Sequence, residues 1–71
     1  MMLVTIKIFY HLPEAEIAHS LLESYAIPSF LFGKELVALN YLKHTTMGEI
    51  RLQVPEEMVE ESLKILGKNS G

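Results

Sequence analysis

From residue 49 to residue 54, polar and apolar positions alternate without a break: Glu49, Arg51 and Gln53 against Ile50, Leu52 and Val54. A period of two with one apolar set marks a strand that buries one face and wets the other. Residues 3–10 read Leu-Val-Thr-Ile-Lys-Ile-Phe-Tyr, β-branched and aromatic types that suit a pleated, half-buried surface. Simple alternation puts Val4, Ile6, Ile8 and Tyr10 toward the core and Leu3, Thr5, Lys7 and Phe9 away from it. A third strand is predicted over 27–32, where Pro28 cannot donate to a ladder and so calls for an edge or a strand start. Its inward face is ambiguous from alternation alone.

Two segments have the helical period instead. Pro13 opens the first, with Glu14 and Glu16 in its positive end, and the helix is expected to run to about Tyr25. Ile17, Ala18, Leu21, Leu22 and Tyr25 share one stripe, opposite Glu16, His19, Ser20 and Glu23. Pro55, Glu56 and Glu57 open the second, and Gly67 is placed to stop it in a left-handed conformation. Met58, Val59, Ser62, Leu63, Ile65 and Leu66 face one way; Glu56, Glu57, Glu60, Glu61 and Lys64 face the other. Residues 68–71 read as a frayed tail behind one domain over 1–67.

The predicted order is β-α-β-β-α. A right-handed crossover between parallel first and second strands leaves room for the third between them. The expected fold is α+β and ferredoxin-like, with a three-stranded sheet in order 1-3-2 and both helices on one face. Thr5, Lys7, Glu49, Arg51 and Gln53 would then line the open face, and Phe9 would be its one aromatic. The first strand would be an unpaired edge that invites another chain, hence an expected homodimer.

Composition narrows the chemistry. The 71 residues permit one small domain, and the absence of cysteine removes disulfides and thiolate sites. The longest apolar runs fall far short of the ~20 residues needed to cross a bilayer. The N-terminus lacks the layout of a secretory signal because Thr5 and Lys7 interrupt it, so a cytoplasmic location is expected. A formal net charge of -3 repels phosphate backbones, which speaks against nucleic acid as a partner.

The passages Pro13-Glu14-Ala15-Glu16, Leu21-Leu22-Glu23, Ala26-Ile27-Pro28-Ser29-Phe30-Leu31 and Ile50-Arg51-Leu52-Gln53-Val54-Pro55-Glu56-Glu57 together resemble the small bacterial domains grouped as prokaryotic signal-transducing proteins. That family has an acidic helix start, a leucine pair at the helix end, Gly-Ile-Pro before a strand, and a strand running into Val-Pro-Glu-Glu. Ala26 departs from the pattern where the family has glycine, so a left-handed turn there would carry strain. Residues 33–47 follow no pattern of the family. The resemblance implies a ferredoxin-like fold loosely similar to PII regulators, a signalling role, and no catalytic residues.

The connection over 33–47 exceeds an ordinary hairpin loop. Lys34, Glu35, Asn40, Lys43 and His44, with Leu39 and Tyr41, make it a candidate ligand- or partner-binding segment. The competing reading is a short helix or strand that caps the core. Leu36, Val37, Leu39, Tyr41 and Leu42 exceed what an exposed loop carries, so burial within the chain or against a partner is expected. Lys7 and Arg51 are the candidate contacts on the open sheet face.

His11, His19 and His44 have no metal-ligand spacing; His19, one turn from Glu16 and Glu23, reads as a surface ion-pair member. Glu56, Glu57, Glu60 and Glu61 read as a solvated face, with Glu60 and Lys64 at the favourable i, i+4 spacing. Isolated glycines form no phosphate loop. No catalytic residue, metal or cofactor is expected. These features point to a non-catalytic regulatory or signal-transducing module that binds a small ligand or partner protein. The alternative is an assembly accessory acting only through strand pairing and the 33–47 segment.

Overall fold

The chain begins with strand β1 (Leu3–Phe9), turns into helix α1 (Leu12–Ser24) and returns as a short strand, β2 (Phe30–Phe32). Strand β3 (Ile50–Pro55), a single 3-10 turn (Glu56–Met58) and helix α2 (Val59–Asn69) follow. This is a computed structural model, and it describes residues 1–33 and 48–69.

The sheet order is β1-β3-β2, with β3 antiparallel to both neighbours, as the sequence predicts. β1 and β2 therefore run parallel, and α1 is the crossover between them. Ala15, Ala18 and Leu22 of α1 and Ile65 of α2 share one buried cluster with Phe9, Ile50, Leu52 and Val54 of the sheet. Both helices thus pack on the same face. Ile50, Leu52 and Val54 are fully enclosed, each contributing about 1.5–3 kcal/mol of burial, and the predicted alternation of β3 holds.

β1 departs from its predicted alternation. Thr5 pairs with Gln53, but Lys7 pairs with Leu52, so one extra residue is accommodated between Thr5 and Lys7. Such a bulge places two residues opposite one and reverses the facing of everything after it. Ile6 and Lys7 both point to the helix side, Phe9 pairs with Ile50 and is buried, and Ile8 is 42% exposed on the other side. Alternation had assigned Ile8 and Tyr10 to the core; Tyr10 is also exposed, and Phe9 takes the core position instead.

α1 starts at Leu12 with Pro13 in its first turn, where a missing N–H costs nothing. Its buried stripe is narrower than predicted: Ala15, Ala18 and Leu22 are enclosed, while Ile17 is 69% exposed and Tyr25 lies outside the helix, also exposed. Small alanines let the helix approach the sheet closely, and that geometry leaves the larger Ile17 at the margin. The helix ends with the Ala26 amide donating to the Glu23 carbonyl and the Ile27 amide to the Leu22 carbonyl, while Ala26 takes φ 61. This is a Schellman termination, and the buried Ile27 and Leu22 supply its apolar contact. β2 is shorter than predicted because residues 27–29 serve this exit: Ile27 and Ser29 are buried, and pairing begins only at Phe30.

In α2, Ser62 and Ile65 are buried and Met58, Val59 and Leu66 pack beside them, as the stripe predicts, but Leu63 is exposed. Gly67 does not end the helix. It lies inside α2, which continues to Asn69. With two further turns already formed, helical hydrogen bonds outweigh the propensity cost of one glycine.

Candidate functional site

The face of the sheet that no described element covers is built in rows by the strand register. Ile8, Arg51 and Phe32 stand side by side across β1, β3 and β2, and Thr5, Gln53 and Phe30 form the next row. Phe30 is 41% and Phe32 48% exposed, large apolar groups that a lone sheet face in water does not need. Arg51 Nε donates to Glu49 Oε1 at 3.0 Å, and Gln53 Nε2 donates to Thr5 Oγ1 at 2.8 Å. The face is therefore an aromatic and aliphatic surface around one guanidinium–carboxylate pair. Its composition, Phe with Arg at the centre, is that of interface cores.

Arg51 is where the sequence analysis puts it; Lys7 is not. The β1 bulge turns Lys7 off the open face to the helix side, where its Nζ sits 5.1 Å from the centre of the Phe9 ring, a cation–π contact. There it borders a shallow cleft of about 190 Å³ that Ile17, Leu21 and Leu66 also line. Bulges and inward-pointing charges are devices that blunt edge strands. Pairing of β1 with another chain, the expected basis for a dimer, thus meets a physical obstacle.

Phe9 is likewise not the aromatic of the open face. Phe30 and Phe32 are, because they pair with Gln53 and Arg51 of the open face; the run 27–32 carries no signal for this by itself, since its inward side includes the polar but buried Ser29. The positions assigned to the 33–47 connection, Lys34, Glu35, Leu39, Asn40, Tyr41, Lys43 and His44, lie outside the described residues. Its stem is described. Gly33 and Gly48 have φ of 95 and 121, and a Cβ on Gly33 would run into the Glu49 carbonyl oxygen. Glycine is required there both by conformation and by space.

The structure pairs His19 with Glu23, as the helical spacing predicts, and adds Ser29, which that spacing does not predict. His19 Nδ1 lies 2.6 Å from Ser29 Oγ, and its Nε2 lies 3.4 Å from Glu23 Oε1. A carboxylate can only accept, so the neutral ring keeps its proton on Nε2 and accepts from Ser29 at Nδ1. Serine, histidine and carboxylate in this order serve nucleophilic catalysis elsewhere. Here Ser29 is only 5% exposed, and its Oγ also lies 3.5 Å from the His19 carbonyl. The hydroxyl is enclosed by its own partner, and the arrangement ties α1 to the segment entering β2.

Among the described residues no group of three or more acidic or histidine side chains is placed to hold a metal ion. No described helix is long and apolar enough to cross a membrane. The chain matches no family model, and comparison with curated proteins and with solved structures finds no match.

Proposed function

We propose that this chain is a non-catalytic regulatory or signal-transducing module that works by binding through the open face of its sheet. The observation that carries this reading is the exposure of Phe30 and Phe32 beside Arg51 on the face opposite the helices. Side chains of this kind gain free energy only when something covers them, at ~25 cal/mol per Å². The resemblance to the bacterial signal-transducing domains favours a regulatory role in the cytoplasm, with a small ligand or a partner protein as the bound species. An assembly accessory acting only through strand pairing and the 33–47 segment is the second reading, and the bulge and inward Lys7 count against its strand-pairing part.

A photo-crosslinking amino acid at position 32, in cells producing the protein, tests the face. Adducts are expected at 32 and not at the still more exposed apolar position 17 on α1. Equal labelling at the two positions would overturn the assignment. A thermal-shift screen against nucleotides and small metabolites then separates ligands from proteins, because native-state binding raises apparent stability.

A further inference from the structure

We infer that the occupant of the open sheet face is a second copy of this chain, docked face to face about a two-fold axis. The inference rests on the reading of that face as a binding surface and adds the identity of the partner.

Charge on the face is the first argument. Its charged side chains, among the described residues, are Arg51 and Glu49, one of each sign and already paired at 3.0 Å. A net-neutral patch with both signs side by side is self-complementary. A two-fold operation brings the Arg51 of one copy toward the Glu49 of the other, and the reverse, as an isologous contact requires. An acidic ligand would find Glu49 opposed to it, and a basic one would find Arg51. The chain as a whole carries -3, yet the patch itself presents no excess of either sign to repel its copy.

The second argument concerns what the fold leaves uncovered. Ile8, Phe30 and Phe32 stand on a sheet whose other face is already closed by two helices. Two such sheets packed together restore the ~10 Å face-to-face spacing of stacked sheets and enclose both apolar sets in one step. Pairing along the β1 edge is hindered by the bulge and by Lys7, whereas the open face carries no such obstacle.

Magnitude sets the conditions for the test. A face three strands wide, at about 4.8 Å per strand, falls at the low end of specific interfaces, below about 1,200 Å² in total. The dimer is therefore expected to be weak and to form over a micromolar to millimolar range.

Sedimentation velocity on the full chain from about 10 μM to about 1 mM is the first measurement, with amide chemical shifts followed on dilution as the second. The expected result is a mass rising from 8.1 kDa toward twice that value. Dilution shifts should concentrate at Ile8, Phe30, Phe32 and Arg51 and spare Val4 and Ile6, which face the helices. Phe32→Ser should remain monomeric. Arg51→Glu and Glu49→Arg should each be monomeric alone and associate when mixed, because one face is then doubly acidic and the other doubly basic.

Wild-type protein that stays at monomer mass throughout overturns the inference. Crosslinks at position 32 to another species would then leave the binding face itself standing. Dimerisation that survives Phe32→Ser and Arg51→Glu, with dilution shifts along β1, overturns the assignment to this face.

Discussion

The amide of Ile27 donates to the carbonyl of Leu22 at 3.0 Å across a turn in which Ala26 is held at φ 61. A left-handed alanine costs about 1–2 kcal/mol from Cβ crowding, part of which glycine gives back as unfolded-state entropy. Ala26→Gly is expected to raise stability by about 0.5–1 kcal/mol, read as a higher urea midpoint at unchanged m-value. A lower midpoint would mean that the turn is not left-handed in solution.

The β1 bulge predicts opposite fates for two adjacent residues. Phe9 is in the core and Ile8 is 42% exposed. Phe9→Ala should cost about 3–5 kcal/mol, enough to unfold much of so small a domain. Ile8→Ser should change stability by no more than about 0.5 kcal/mol. Equilibrium denaturation of both variants checks the register, since uninterrupted alternation demands the reverse ranking.

His19 and Ser29 should couple energetically. Ser29→Ala removes the partner of a half-buried ring nitrogen and is expected to cost about 1 kcal/mol, with a double-mutant coupling to His19→Ala of about 0.5–1.5 kcal/mol. Glu23→Gln should matter far less, because that carboxylate is 60% exposed and solvent screens the pair. A coupling indistinguishable from zero would remove the clamp between α1 and the entry to β2.

Two glycines should respond with opposite sign. Gly33→Ala is expected to destabilise by more than about 1 kcal/mol, from positive φ and the collision with the Glu49 carbonyl. Gly67→Ala should stabilise by about 1 kcal/mol, because it lies within α2 with open space around the added Cβ. Thermal melts suffice, at roughly 4–8 °C per kcal/mol for a domain of this size.

Ser62 is fully buried, and among the described residues its Oγ has no hydrogen-bond partner. Such a hydroxyl carries a desolvation cost with no return. Ser62→Ala should leave stability unchanged or raise it by up to about 1 kcal/mol; a clear loss in the urea midpoint would show that the hydroxyl is satisfied in solution.

Ile50, Leu52 and Val54 against Glu49, Arg51 and Gln53 were legible because a central strand with one wet face writes its burial directly into a period of two. The helical stripes were legible to within one edge: Leu22, Ser62 and Ile65 were correctly inward, but Ile17 and Leu63 were not. A stripe shows a helix's apolar side and does not specify how far it is rotated against its neighbour. For the candidate site, Arg51 was readable. Phe30 and Phe32 were not, because the register of β2 depends on Gln53 and Arg51 opposite them and not on its own short run.

Local patterning, through period, proline placement and acidic helix starts, was enough to specify the α+β class and the order of elements, since both follow from which residues must leave water; the 1-3-2 order needed in addition the right-handed crossover between parallel strands. The β1 bulge, the inward turn of Lys7, the outward phenylalanines and the His19–Ser29 contact arose only on assembly. All four depend on pairings between residues distant in the chain, and a one-residue slip between strands, invisible in either strand by itself, reverses which face every later side chain occupies.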